Sequence, residues 1–189
     1  MDILQETAAQ TVWGRSLSPV IGRSEKYKHW VSEDDIRRCA ACKLLHGKIW
    51  QVVETPDPEP PLHGYCRCMI EPMQTIQAGT ATIEGTRGAD WVLKQTGKLP
   101  GNYISENDAE AKGFQQRLGN LAVIAPGKLL TKGVYLNRNA HLPVAPGRIW
   151  YEADINYVSG YRGAARILYS NDGLMFTTYD HYKTFYEIV

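Results

Sequence analysis

No cysteine occurs beyond residue 68; all four lie between Cys39 and Cys68. That excludes a disulfide framework spread through the fold and points to a single local site. No apolar run is long enough to cross a bilayer as a helix, and no leader with a basic start and a hydrophobic centre is seen. The sequence reading therefore expects no signal peptide and no membrane partner. Internal repeats and low-complexity tracts are also missing, which argues against a repeat architecture. Strong charge of either sign is absent, the formal net charge being +1. The balance conceals an asymmetry. Residues 1–85 hold 9 Lys/Arg against 11 Asp/Glu, a net of −2, and residues 86–189 hold 12 against 9, a net of +3. A modestly basic second half is compatible with a nucleic-acid partner without establishing one.

With 43% hydrophobic residues, 189 residues suffice for one domain plus a smaller module. Residues 1–28 lack strong periodicity, and Ser18-Pro19 and Ile21-Gly22 interrupt any long helix. They are expected to form a short helix followed by coil. Residues 29–75 form the cysteine module, in which Pro56, Pro58, Pro60 and Pro61 make an extended loop. Residues 76–85 include Gln77-Ala78-Gly79-Thr80-Ala81-Thr82, small and polar, and read as a linker. Residues 86–189 form the larger domain.

The module carries Cys39-Ala40-Ala41-Cys42, then twenty intervening residues, then His63-Gly64-Tyr65-Cys66-Arg67-Cys68. Two thiol pairs and an imidazole match a tetrahedral structural zinc site, which takes four nitrogen or sulfur donors. Cys39 and Cys42 would form one knuckle, with Cys66, Cys68 or His63 completing the set and His46 as a distant reserve. Two disulfides or unligated thiols are the alternatives. A Cys66–Cys68 disulfide would close an unusually tight ring, which favours metal.

The larger domain opens with helical signals. Ala89, Val92, Leu93 and Thr96 share a face that ends at Gly97. Ser105-Glu106-Asn107-Asp108 reads as a capping box, opening a helix that ends near Gly113, and a short helix follows Asn120. Strands are expected at 149–157, 165–170, 174–178 and 184–188, with Asn171-Asp172-Gly173 as a hairpin turn. Helices followed by a meander predict an α+β fold, with N-terminal helices packed on an antiparallel sheet.

Within the strand-rich part stand Glu152, Arg162, Arg166 and His181. A carboxylate, two guanidinium groups and an imidazole can together cleave RNA through a 2′,3′-cyclic phosphate. The alternative is a set of surface charges. Trp150, Glu152 and Asp154 share one strand face by alternation, and Asp154 reads as a structural hydrogen-bond partner.

From Thr86 to Val189 the chain resembles the barnase/binase family of microbial ribonucleases. The resemblance rests on Leu99-Pro100, Asn102-Tyr103-Ile104, Gly119-Asn120-Leu121-Ala122 and Ala125-Pro126-Gly127-Lys128. It continues through Asn137-Arg138, Gly147-Arg148, Trp150, Glu152-Ala153-Asp154-Ile155-Asn156-Tyr157 and Ser159-Gly160. Arg166-Ile167-Leu168-Tyr169-Ser170 and Asp180-His181-Tyr182 complete it. The resemblance implies Glu152 as general base, His181 as general acid, Arg162 and Arg166 as phosphate binders, and Tyr182 beside the acid. It implies that Tyr135, Leu136, Asn137 and Arg138 form a loop reading guanine largely through backbone amides. No catalytic metal is implied, and an acidic immunity or inhibitor protein is.

Two positions depart from the family. Glu106 stands where the family has a catalytic lysine, and Asn139 where it has the carboxylate that pairs with guanine. An amide offers one acceptor oxygen instead of two, so looser base preference is expected. Glu106 reverses a charge beside the phosphate, which threatens activity; it also suits the first helical turn, where a carboxylate meets the positive end of the dipole. Lys132, expected in the loop preceding Tyr135, is a candidate replacement cation.

The module resembles the C-terminal part of Mu-type phage minor head (head-morphogenesis) proteins. The residues concerned are Trp30-Val31, Glu33-Asp34-Asp35, the Cys39/Cys42 pair, Leu45-His46-Gly47-Lys48-Ile49 and Pro60-Pro61-Leu62-His63 with Cys66-Arg67-Cys68. This resemblance implies a toxin domain made in the bacterial cytoplasm, delivered by a prophage-like or toxin system, with capsid components as partners.

Overall fold

A computed structural model describes residues 21–189. Nine strands form one sheet in the order β2-β1-β3-β9-β8-β7-β6-β5-β4. The strands are β1 (Ile21–Val31), β2 (Ile49–Gln51), β3 (Met69–Ile76), β4 (Tyr103–Ser105), β5 (Leu129–Tyr135), β6 (Trp150–Asp154), β7 (Arg166–Ser170), β8 (Met175–Thr178) and β9 (Tyr186–Ile188). Four helices accompany them: α1 (Ala40–Leu45), α2 (Ala89–Thr96), α3 (Glu106–Ala111) and α4 (Leu121–Ile124). The expected strands of the second half appear, the first shortened by four residues and the others by one or two, and Asn171-Asp172-Gly173 joins β7 to β8. The sheet is not wholly antiparallel. β3 runs parallel to β9, and β4 parallel to β5.

Alternation along β6, β7 and β8 divides the core. Ala153, Ile167 and Met175 enter one cluster with Ala89 and Leu93 of α2. Trp150, Leu168 and Phe176 enter the other, together with Tyr27, Ile49 and Met73 from the first part of the chain. A period of two places neighbouring residues on opposite sides, and here both sides are covered. A third cluster packs Ala109, Phe114 and Leu121 against Leu130.

Two expectations are corrected here. Residues 21–28 are part of β1 rather than coil; the part of that expectation covering residues 1–20 lies outside the described residues. Residues 76–85 are not a free linker. Ile76 pairs with Ile188, Ala78 N donates to Val189 O at 2.9 Å, and Ala78 and Ala81 are buried. Asp90, fully buried in the first turn of α2, accepts from Gly79 N (2.7 Å), Ala81 N (2.9 Å) and Thr82 Oγ1 (2.8 Å). A buried carboxylate is tolerable only with such bonds, and these weld the segment to the helix. Small polar composition suggested slack; its small size instead permits this close packing.

The helical start signals hold with one change each. In α2 the buried face is Ala89, Asp90 and Leu93, while Thr96 is exposed. In α3, Ser105 accepts from Asp108 N at 3.1 Å and donates its hydroxyl to Asp108 Oδ2 at 2.6 Å. That is half a capping box, with the return bond to the hydroxyl rather than to the backbone.

Candidate active site

Adjacent strands β6 and β7 bring three of the expected catalytic residues together, and Asp154 orders them. Glu152 and Asp154 share a face of β6, and Arg166 opens β7 opposite Asp154. Arg162, in the preceding loop, donates Nε to Asp154 Oδ2 at 2.5 Å and Nη2 to Asp154 Oδ1 at 2.6 Å. Arg166 Nε lies 3.1 Å from Asp154 Oδ1 and 3.4 Å from Glu152 Oε1, and its Nη1 donates to Gly163 O and Ala165 O at 2.7 Å. Two carboxylates and two guanidiniums thus balance within one buried cluster. Burial opposes the charge on Arg162, but the Asp154 bonds raise its pKa nonetheless. Asp154 was read as structural, and the geometry shows what it holds.

His181 and Tyr182 lie on the turn between β8 and β9 with φ of +61° and +68°, in the left-handed region. Asp180 stabilises that turn: its Oδ1 accepts from Thr178 Oγ1 (2.9 Å), Lys183 N (3.1 Å) and Thr184 N (2.9 Å). An Asp followed by residues whose amides fold back onto it is the sequence signal that could have assigned this role. The His181 ring stands 4.9 Å from the Tyr182 ring, and Tyr182 stacks on Tyr135 at 5.8 Å. The Tyr182 pKa is raised by burial and by the neighbouring Glu152 carboxylate. Tyr135, also raised by burial and by Glu152, closes the same group. Tyr182 therefore links the histidine turn to the carboxylate strand.

Lys132 is not in a loop as expected but in β5, at a register shift between Thr131 and Gly133. Gly133 adopts φ +70°, the conformation such a bulge requires, and the bulge redirects the preceding side chain. Lys132 Nζ lies 3.5 Å from Glu106 Oε1, both side chains about one-third exposed. The departed lysine position is thereby occupied by an ion pair.

Beyond β5, the loop after Tyr135 is closed by Asn137. Its Nδ2 donates to Leu142 O at 2.8 Å and its Oδ1 accepts from Leu142 N at 3.1 Å. Leu136, Arg138 and Asn139 are exposed on this loop and apart from the buried cluster. A cavity of about 370 Å³ opens beside it, lined by residues including Tyr135, Leu136, Asn137, Arg148 and Trp150. That volume lies at the lower end of small-ligand sites. The cysteine module supports the loop from behind. Ile49 N donates to His141 O at 2.8 Å, and His141 Nε2 lies 3.4 Å from Leu44 O.

In the module, Cys39, Cys42 and His63 bring their donor atoms within 4.8 Å of one another, as do Cys42, Cys66 and Cys68. All four cysteines are free. His46 is engaged elsewhere, its Nδ1 accepting from Ser32 N at 3.1 Å.

The family model described as ribonuclease matches residues 84–189. A ribonuclease of Heyndrickxia coagulans is 50% identical over 107 residues, covering 57% of this chain and 95% of that protein. A ribonuclease of Bacillus intermedius is also 50% identical over 107 residues, covering 57% of this chain but 64% of that protein. Glu152, Arg162, Arg166, His181 and the loop at residues 135–139 all fall inside the matched region. Since that region is more than half of the chain, the protein belongs to the ribonuclease family.

Proposed function

We propose that residues 84–189 form an endoribonuclease that cuts single-stranded RNA with a preference for guanosine, with no metal in the chemical step. One observation carries the reading. Glu152 is held against Arg166, Arg166 and Arg162 share Asp154, and Tyr182 lies beside both Glu152 and the His181 ring. In the proposed reaction Glu152 takes the proton of the 2′-hydroxyl, whose oxygen attacks phosphorus. Arg162 and Arg166 hold the charge that gathers on the phosphorane oxygens. The P–O5′ bond breaks as the protonated His181 gives its proton to the departing oxygen. A 2′,3′-cyclic phosphate results, which water then opens with the two roles exchanged. The backbone of residues 135–138 would read guanine, with Asn139 supplying an amide where the family has a carboxylate. Lys132, neutralising Glu106, would take the place of the missing lysine.

Glu152→Ala and His181→Ala test this directly. Each is expected to abolish cleavage while circular dichroism shows the fold retained; full activity in either removes the role assigned to that residue. A second reading treats the site as an RNA- or inhibitor-binding module disarmed by Glu106. The 3.5 Å pairing with Lys132 favours the enzyme, because it cancels the reversed charge. Turnover only in Glu106→Lys would instead favour the binding module. From its sequence resemblance, we propose for residues 29–75 an attachment role in a phage-like toxin system, with an acidic inhibitor protecting the producer.

A further inference from the structure

We infer that the N-terminal module binds one zinc ion through Cys39, Cys42, His63 and Cys66. The argument rests on edge lengths. Zinc–sulfur bonds of about 2.3 Å and zinc–nitrogen bonds of about 2.0–2.1 Å in a tetrahedron place two sulfurs about 3.8 Å apart and a sulfur and a nitrogen about 3.6 Å apart. Here Cys39 Sγ lies 3.3 Å from His63 Nε2, Cys42 Sγ lies 3.5 Å from the same nitrogen, and Cys42 Sγ lies 3.9 Å from Cys66 Sγ. Three edges of the tetrahedron thus fall within a few tenths of an ångström of ideal. Cys42 is the corner shared by two of them and the one buried ligand.

Each ligand is positioned by local structure. Cys39 is the N-cap of α1 and accepts from Cys42 N at 3.4 Å, the N–H···S contact that favours a thiolate. His63 is oriented by its Nδ1, which bonds Gly64 O at 2.8 Å and so leaves Nε2 to face the sulfurs. The two ligand-bearing segments are already fastened to each other. Arg67 donates Nη1 to Asp35 Oδ2 at 2.8 Å and Nη2 to Asp35 Oδ1 at 2.7 Å, tying the Cys66–Cys68 turn to the loop before Cys39. Three thiolates and a neutral imidazole around Zn²⁺ leave a charge of −1. Arg37, Arg38 and Arg67 line the hollow beside it together with Glu33, each arginine paired with Asp34 or Asp35. Soft thiolates with one imidazole select zinc over magnesium or calcium. Binding requires no oxidant: each cysteine releases its proton as its sulfur takes up the metal.

Cys68 stands outside the set. Its sulfur lies near the buried Trp30 indole N–H, which has no hydrogen-bond partner among the described residues. Like Cys66, Cys68 groups with Cys42 rather than with Cys39 and His63. Cys66 is assigned as the fourth ligand because its sulfur lies 3.9 Å from Cys42 Sγ, and the site closes when Cys66 moves toward Cys39 and His63.

The test uses the full chain, purified without chelator. Native mass spectrometry and elemental analysis are expected to show one zinc per chain. Exchange with Co²⁺ is expected to give the visible absorption of a tetrahedral site with three thiolates. Cys42→Ser and His63→Ala should lose that spectrum, and Cys68→Ser should keep it. Metal-free protein with four freely titrating thiols, or with disulfides, overturns the site. A four-thiolate cobalt spectrum, or a signal kept in His63→Ala and lost in Cys68→Ser, overturns the ligand assignment. The cobalt spectrum of the unmodified chain decides the thiolate number even where a variant fails to fold.

Discussion

Replacing Asp154 by Asn keeps the shape of the side chain and removes one charge from the buried cluster. The side chain is 2% exposed, and those of Arg162 and Arg166 are 5% and 7% exposed. In the native cluster Glu152 and Asp154 balance the two arginines; in Asp154→Asn a net charge of +1 stays buried. At an effective dielectric constant near 20, unit charges about 4 Å apart interact by roughly 4 kcal/mol. Asn also offers an N–H₂ group where a carboxylate oxygen accepted a guanidinium N–H, so one donor faces another. Breaking a buried pair by removing one partner typically costs about 3–5 kcal/mol. For a chain of this size each kcal/mol lowers Tm by about 2–4 °C, so a fall of roughly 6–20 °C is expected by circular dichroism melting. Cleavage assayed well below the new Tm should also fall by about two orders of magnitude, because Arg162 is no longer held in place. Rescue of neither property by low salt would fit, since the cluster is shielded from solvent. A variant within about 1 kcal/mol of the parent in stability and equal to it in rate would refute the claim that Asp154 organises the arginines.

Lys132→Ala should lower the rate of cleavage by about 10²–10³, and Glu106→Lys should restore it in the double variant, both read in steady-state assays; an unchanged rate in Lys132→Ala excludes it as the replacement cation. Asn139→Glu should raise discrimination for guanosine over adenosine substrates by roughly tenfold, a two-oxygen acceptor replacing one, and equal specificity would refute the recognition role. Burial holds His29 down to about 4, and burial likewise lowers His46 and His141. Their unfolded forms bind protons that the folded forms do not, so stability is complete above about pH 6.5 and is lost as pH falls toward 4. His29→Gln should flatten that decline in denaturant titrations, and an identical pH profile would show that His29 is not responsible.

How far the sequence discloses this molecule depends on the range of each signal. The β7–β8 hairpin was legible because Asn171-Asp172-Gly173 is a local turn code. Helix α3 was legible because Ser105 and Asp108 fix its start within one turn. β1 and β3 were not, because their pairing with each other and with β9 is long-range and their residues carry no clean alternation. Neither was the welding of residues 76–85, which depends on Asp90, a residue indistinguishable in sequence from any acidic first-turn side chain. At the candidate site, resemblance indicated Glu152, Arg162, Arg166 and His181, and the structure supplied what orders them: Asp154 across the strands and Asp180 beneath the turn. The support that Ile49 and Leu44 give to His141 joins residues about ninety positions apart, beyond the reach of any motif.

The most direct test of the central claim is the product of cleaving a short RNA with a single guanosine, in buffer without added divalent cation. The account requires a 2′,3′-cyclic phosphate on the guanosine fragment that accumulates first and is then slowly hydrolysed, visible by mass spectrometry over time. A 5′-phosphate product, a requirement for added metal, or no cleavage by the chain even at high concentration would contradict it.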